Sequence, residues 1–267
     1  MARPKLLNPD CTIASGLWID QPTAPAAIAD KLEHHEISAE EAEWLTKMWR
    51  DGYVIFHSGL PDEFFAGAVS ESRNLWEHHP EDLLGAAPQF NDGRPMSLAF
   101  FPPEFRPGPG CRMLDAHSHS DFFRELMALP KPHRFIDLLL GEKCVATQSL
   151  YFSHGSTQPL HRDPWFVVTN PVSTLFAAWV ALEDIVMDSG PLTFVPKSHR
   201  LPYMPLNTGD IIFHDPQATA EDGQRRLEPE AVSRQTRRDS GVAWLPDSWG
   251  IAGSGADSFE GKFRNPF

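Results

Sequence analysis

The stretch QSLYFSHGSTQPLHRD, residues 148–163, decides the fold because it places a histidine and an aspartate two positions apart, His161 and Asp163. On a β-strand, residues two positions apart point to the same side, while Arg162 between them points to the other. A neutral imidazole and a carboxylate held side by side supply two of the three ligands in the facial triad of non-haem iron(II) oxygenases. A surface ion pair is the alternative interpretation of the same two residues.

The chain before this stretch carries the signals of helices. Ser38 and Glu41 form a capping box, which predicts a helix after Ser38, and Gly52 is expected to end it. Pro61 is expected to begin another helix. Helical signals return over residues 120–140, where prolines near position 130 predict a break.

From residue 144 onward the pattern changes to short apolar runs that are typical of strands. The predicted strands cover residues 144–152, 165–169, 175–182 and 192–195, and residues 241–245 could form a further one. Helices first and short strands later predict an α+β fold whose second part is a sandwich or a barrel.

Charge, hydropathy and cysteine content restrict the partners and the compartment. The 267 residues include 36 acidic and 23 basic side chains, and a formal charge of −13 disfavours nucleic acid as a partner. No run of about 18 apolar residues predicts a membrane span, and the start of the chain lacks the apolar stretch of a secretory signal. The three cysteines, Cys11, Cys111 and Cys144, are far apart, which favours reduced thiols and a cytoplasmic location.

Two motifs follow the His-x-Asp pair at compact spacing: AWVALED at residues 178–184 and SGPLTFVPKSH at residues 189–199. Together with DGYVIF at residues 51–56, they make residues 40–203 resemble the phytanoyl-CoA dioxygenase (PhyH) family of iron(II)/2-oxoglutarate enzymes. The resemblance implies a dioxygenase that uses iron(II), with 2-oxoglutarate as cosubstrate and O₂ as oxidant. The expected reaction is hydroxylation of a C–H bond in a small-molecule substrate.

The resemblance also implies an architecture for the whole chain. The expected fold is a double-stranded β-helix, the jelly-roll or cupin-like core, preceded by N-terminal helices. We expect a single oxygenase-like domain over residues 1–267. It divides into a helix-rich part at 1–143, the β-helix core at 144–226, and a divergent tail at 227–267. Either the tail supplies the closing strands with divergent sequence, or these strands are incomplete and the chain is a shortened or altered member.

The family pattern assigns roles to several side chains. His161 and Asp163 are the implied metal ligands. Trp179 matches a tryptophan that lines the cosubstrate pocket, or else it is an aromatic residue of the barrel core. Gln148 and Tyr151 are candidates for hydrogen bonds to 2-oxoglutarate, although strand alternation puts them on opposite faces unless a bulge intervenes.

The third metal ligand is the weakest match to the family pattern. Among the histidines after the pair, His199 lies in a turn that is structural in the family, which leaves His214 in the stretch GDIIFH. Arg225, a short distance further on, is the candidate that binds the distal carboxylate of 2-oxoglutarate, since arginine binds carboxylates bidentately. The alternative is that His214 belongs to a longer excursion and that the triad is incomplete.

Two rival functions therefore stay open: a catalytically inactive or truncated PhyH-like binding protein, and a cupin-like metal hydrolase or isomerase. Trp165 and Phe166, together with the proline-rich loop at residues 86–110, are candidate walls of the substrate pocket. Their alternative role is ordinary packing and a solvent-exposed loop. The pattern does not indicate an oligomeric state.

Overall fold

The computed structural model describes residues 17–56, 59–155, 163, 167, 174–183, 185, 192–194, 196–197, 199, 230–231, 242–245 and 252–254. The α-helices among these residues are α1 (Ala24–Glu33), α2 (Ala39–Asp51), α3 (Asp62–Glu77), α4 (Asp121–Met127) and α5 (Pro130–Leu140). The strands in the same part of the chain are β1 (Val54–Phe56), β2 (Leu84–Ala86), β3 (Met96–Ser97), β4 (Arg112–Leu114), β5 (Leu150–Phe152), β6 (Ala177–Val180), β7 (Leu192–Phe194), β8 (Glu230–Ala231), β9 (Val242–Leu245) and β10 (Ala252–Ser254). In the described part of the chain, no helix has the length and apolar character needed to cross a membrane.

The helix boundaries follow from local signals in the sequence. The Ser38 hydroxyl accepts the Glu41 N–H at 3.1 Å, and the Glu41 carboxylate accepts the Ser38 N–H at 2.7 Å, so the capping box is confirmed. Pro61 immediately precedes α3, and α5 begins at Pro130 after the predicted break. Gly141, with φ +75°, ends α5 in a left-handed conformation.

The strand expected over residues 144–152 is shorter in the structure, where only Leu150–Phe152 pairs as β5. Two amides before it donate to carboxylates instead of to a neighbouring strand: Cys144 N–H to Asp137 at 2.8 Å, and Ser149 N–H to Asp115 at 3.0 Å. The predicted strand at 165–169 lies almost entirely outside the described residues. The remaining three predicted strands each contain an observed one.

The described strands pair antiparallel in three sheets with orders β1-β9-β6, β10-β7-β8 and β3-β2-β4-β5. All three segments of the expected division contribute strands. Residues 227–267, expected as a divergent tail, contribute β8, β9 and β10, and β9 lies between β1 and β6. The helix-rich part also contributes β1 to β4. Local periodicity did not reveal these pairings because the paired strands are far apart in the chain.

Sheet β1-β9-β6 separates two layers of apolar side chains. On one face, Val54 and Phe56 pack with α1, α2 and α5, and the Phe56 and Phe135 rings lie 5.2 Å apart. On the other face, Ile55 and Trp179 pack against Phe194 of β7, which is fully buried. The sheet is thus covered by helices outside and by a second sheet inside, which confirms the α+β class with antiparallel sheets.

The carboxyl end of α2 binds the last residues of the SGPLTFVPKSH motif through hydrogen bonds. The Lys197 N–H donates to the Asp51 carbonyl at 2.8 Å, and the buried His199 ring donates through Nε2 to the Trp49 carbonyl at 3.3 Å. Both acceptors belong to the last turn of the helix, where carbonyls lack partners within the helix. A Cβ at Gly52 would lie 2.1 Å from Nδ1 of His199. The position therefore requires glycine for its space and for its φ of +84°.

We predict that Gly52→Ala lowers the free energy of unfolding substantially more than Gly141→Ala. Both glycines end a helix with positive φ, but nothing lies within 4 Å of a Cβ at Gly141. Gly141→Ala is expected to cost about 1 kcal/mol from backbone strain, and Gly52→Ala roughly 1–3 kcal/mol more from displacement of His199. Urea unfolding measures the difference, and equal losses would contradict the packing described.

Candidate active site

Asp163 is the one predicted metal ligand within the described residues. It is half-buried, and its carbonyl accepts the Val167 N–H at 2.9 Å. A hydrogen bond across four residues is typical of a helical turn, so Asp163 does not lie on the extended strand expected from the sequence. In the described part of the chain, no three His, Cys, Asp or Glu side chains are grouped to hold a metal. The other site residues predicted from sequence that lie outside the described residues are His161, His214, Arg225, Trp165 and Phe166.

Trp179 lies on β6 at the boundary between two sheets. Its partly buried ring packs with Tyr53, Ile55 and Leu192 around Phe194. The strand register places it level with Ala243 of β9 and Ile55 of β1. This position, on the face away from the helices, is compatible with both predicted roles: an interior aromatic residue and a wall of the cosubstrate pocket.

Gln148 and Tyr151 have different surroundings. The Tyr151 hydroxyl donates to Ser72 Oγ on α3 at 3.0 Å, and its ring lies 5.6 Å from the ring of Phe123 on α4. Tyr151 therefore faces the helices. Gln148 is exposed and lies before β5 begins at Leu150, so strand alternation does not assign its side chain to a face of the sheet. The structure does not bring the two predicted cosubstrate contacts together.

The side of sheet β3-β2-β4-β5 that faces away from the helices is here called the helix-distal face. Its residues form two cross-strand rows, Leu84–Leu114–Leu150 and Ala86–Arg112–Phe152. Leu84 and Leu150 remain 39% and 46% exposed, in contrast to Met113 on the opposite face, which is fully buried against α3 and α4. The helix-distal face is thus an apolar surface that the described residues leave partly uncovered.

Arg112 is the charged side chain in this apolar surface. It is half-buried, and in the described part of the chain it makes no hydrogen bond or ion pair. Burial lowers the pKa of the Arg112 guanidinium, because desolvation disfavours its charged form. The sequence analysis missed this residue. The sequence pattern that could have indicated it is the alternation in Cys111-Arg-Met113. The two flanking side chains are buried on one face of the strand, so the arginine points to the other face.

Several solved structures share the fold of this chain. EctD from S. alaskensis matches with a TM-score of 0.57 and 20% identity over 82% of this chain and 71% of that chain. The epimerase SnoN, solved in complex with Fe3+, alpha ketoglutarate and nogalamycin RO, matches at 0.52 and 22% over 82% and 78%. The non-heme alpha ketoglutarate dependent carbocyclase SnoK matches at 0.55 and 17% over 84% and 79%. At these identities the likeness is one of fold, that of iron/2-oxoglutarate-dependent oxygenases.

The sequence places the chain more narrowly. Residues 48–232 match the family Phytanoyl-CoA dioxygenase (PhyH), and the chain belongs to that family. Phytanoyl-CoA dioxygenase domain-containing protein 1 of Mus musculus is 32% identical over 88 residues, 31% of this chain and 30% of that protein. The peroxisomal phytanoyl-CoA dioxygenase of Rattus norvegicus is 26% identical over 101 residues, 35% and 30% of the two chains. The match thus spans 30% of the length of these curated relatives, and the resemblance noted in the sequence is confirmed.

We predict that Tyr151→Phe lowers the free energy of unfolding by about 1 kcal/mol, the usual value of one buried hydrogen bond, and leaves the Kd for 2-oxoglutarate unchanged. Gln148→Ala is the comparison variant, in the exposed segment just before β5. It is expected to weaken 2-oxoglutarate binding and to leave stability unchanged, because its side chain is exposed. Chemical unfolding and titration calorimetry with iron(II) separate the two effects. A loss of 2-oxoglutarate affinity in Tyr151→Phe alone would reverse the assignment.

Proposed function

We propose that this protein is an iron(II)- and 2-oxoglutarate-dependent dioxygenase that hydroxylates a C–H bond of a small molecule. The observation that carries the proposal is the His161–Asp163 pair, which lies inside the region that matches the PhyH family. Asp163 is half-buried and follows β5 along the chain. The family match around the pair supports the ligand role over the ion-pair interpretation.

The donor set suits the metal. His161 and His214 supply imidazole nitrogens and Asp163 supplies a carboxylate, and two histidines with one carboxylate leave coordination positions open on iron(II). When bound, the iron would activate O₂ as the oxidant, with 2-oxoglutarate as the electron-donating cosubstrate. The chain's own contribution is to hold the three ligands, to position the substrate and to exclude water.

For the cosubstrate, we assign Arg225 to the distal carboxylate and the Gln148 amide to a further hydrogen bond, with Trp179 as a wall. Tyr151 contributes through packing, because its hydroxyl is engaged by Ser72. Trp165 and Phe166 follow the ligand pair and are assigned to the substrate pocket. Trp179 at the boundary of two sheets supports an interior of the double-stranded β-helix type.

The inactive-protein alternative rests on the missing late histidine motif of the family and on a C-terminal part that could be shortened. In the structure, β9 completes the sheet between β1 and β6, and β8 and β10 both pair with β7. The family match also continues to residue 232, past both His214 and Arg225. These observations favour the enzyme over a truncated binding protein.

We predict that the purified protein, given iron(II) and 2-oxoglutarate without oxygen, develops the visible metal-to-ligand absorption band of a chelated 2-oxoglutarate. Asp163→Ala is expected to abolish the band, since it removes the anionic ligand of the triad. His34→Ala is the control, because this exposed histidine lies at the end of α1. The proposal would be contradicted by a wild-type protein that binds no iron, or by an Asp163→Ala variant with an undiminished band.

A separate prediction concerns the two late residues. His214→Ala is expected to weaken iron(II) binding by more than about tenfold, because it leaves two protein ligands. Arg225→Gln is expected to keep iron affinity and to raise the Kd for 2-oxoglutarate about tenfold or more, since a bidentate ion pair is lost. Unchanged iron binding in His214→Ala would instead favour the incomplete triad.

A further inference from the structure

Ser149 attaches the chain to the fold immediately before β5. Residues 145–148 are exposed, whereas Ser149 is half-buried. Its carbonyl accepts the Asp115 N–H at 2.8 Å, its N–H donates to the Asp115 carboxylate at 3.0 Å, and its hydroxyl lies 2.7 Å from Nδ1 of His117. These hydrogen bonds are here called the Ser149 contacts. Asp115 and His117 thus hold the backbone and the side chain of the same residue.

The Asp115 carboxylate takes the place of a backbone carbonyl as acceptor. Strand β4 ends at Leu114, and Asp115 has a left-handed backbone conformation, with φ +52°, which aspartate tolerates better than most residues. Its own carbonyl accepts the Ser118 N–H at 2.8 Å in the turn that follows. The pairing of β4 with β5 therefore extends to Ser149 through a side chain.

His117 is held in place from a helix. The Arg124 guanidinium on α4 donates to the His117 carbonyl at 2.8 Å. Nδ1 of His117 lies 3.9 Å from the Asp115 carboxylate, so its hydrogen bond is with the Ser149 hydroxyl at 2.7 Å. A hydroxyl both donates and accepts, and this contact therefore forms with either tautomer of the imidazole.

The Ser149 contacts also fix the backbone of Gln148. The Ser149 N–H belongs to the peptide group that joins the two residues, and a peptide group is planar. A hydrogen bond that holds this N–H therefore fixes the Cα and the carbonyl of Gln148 as well. Gln148 is the exposed residue assigned to a hydrogen bond with 2-oxoglutarate. Binding is stronger when the residue that makes such a contact is ordered beforehand.

We propose that Asp115 and His117 are positioning residues for the cosubstrate, because they hold the Gln148–Ser149 peptide where the Gln148 amide meets 2-oxoglutarate. This inference rests on the proposed function for the identity of the ligand. Asp115 and His117 act on the affinity for 2-oxoglutarate through Gln148. The loss of affinity on breaking the Ser149 contacts is therefore no larger than the loss in Gln148→Ala.

Two substitutions at Asp115 test its carboxylate. Glycine keeps the left-handed conformation and removes the acceptor, whereas asparagine tolerates that conformation and keeps a side-chain oxygen. In iron(II)-loaded protein without oxygen, Asp115→Gly is expected to raise the Kd for 2-oxoglutarate about fivefold, the value of one hydrogen bond. Asp115→Asn is expected to stay within about twofold of the wild type. Equal Kd values for Asp115→Gly and the wild type would overturn the proposal.

A double-mutant cycle with Gln148→Ala separates positioning from a general loss of structure. A residue that acts through Gln148 has no further effect once the Gln148 amide is removed. Asp115→Gly is thus expected to leave the Kd for 2-oxoglutarate unchanged in the Gln148→Ala protein, although the free energy of unfolding falls in both backgrounds. The same rise of the Kd in both backgrounds would show a merely structural role and overturn the proposal.

The side-chain contact has its own cycle. Ser149→Ala and His117→Phe break the same hydrogen bond, so the double variant is expected to bind 2-oxoglutarate no more weakly than the weaker single variant. Additive losses would overturn the role of His117. Ser118→Ala, which changes an exposed serine, is the control and is expected to bind like the wild type. Ser149→Ala removes a single oxygen atom and keeps the test valid if Asp115→Gly does not fold.

Hydrogen exchange of the Ser149 amide, followed by NMR, tests the contact without iron or cosubstrate. The amide is expected to exchange at least about fivefold faster in Asp115→Gly than in the wild type and Asp115→Asn. Unchanged exchange would overturn the hydrogen bond on which the proposal stands. Failure of the proposed function has a different signature: a wild-type protein that binds no 2-oxoglutarate, which overturns the cosubstrate role, while protection of the Ser149 amide still depends on Asp115.

Discussion

The antiparallel pairing of β9 between β1 and β6 is the interaction on which the rest of the structure depends. It joins the strand after α2, the strand of the AWVALED motif and a strand from the last thirty or so residues into one sheet. That sheet needs both of its faces covered. Helices α1, α2 and α5 cover one, and Phe194 of the second sheet covers the other against Trp179. Strands β1 and β6 each pair with β9, so β9 is the strand that joins them into one sheet.

The two faces of sheet β3-β2-β4-β5 differ in how far their side chains are buried. Side chains that face the helices are buried and complete their hydrogen bonds there, as Tyr151 does with Ser72. On the other face of sheet β3-β2-β4-β5, Leu84 and Leu150 remain partly exposed and Arg112 is half-buried. Adjacent residues such as Arg112 and Met113 therefore have different surroundings, because they point to opposite sides of one strand.

Local signals made much of the fold predictable. The capping box at Ser38 and the glycines that end α2 and α5 act within one or two turns of helix, and the structure confirms them. Strand pairing was not predictable, because β9 meets β1 across nearly two hundred residues and no local pattern encodes that contact. The start of the strand predicted over residues 144–152 was wrong for a related reason: the amides of Cys144 and Ser149 donate to the Asp137 and Asp115 carboxylates instead of to a neighbouring strand.

The part of the candidate site that forms a sequence motif, the His161–Asp163 pair, could be predicted from the sequence. The spacing of the His-x-Asp pair is visible in the sequence, whereas the half-buried position of Arg112 becomes visible only once its strand is paired with β2 and β5.

X-ray absorption at the iron edge tests the metal site most directly. The protein would be loaded anaerobically with iron(II) and 2-oxoglutarate, and its spectrum compared with that of His214→Ala. The wild type is predicted to show scattering from two imidazole rings, and the variant from one. A single imidazole in the wild type, or none, would contradict a facial triad of His161, Asp163 and His214.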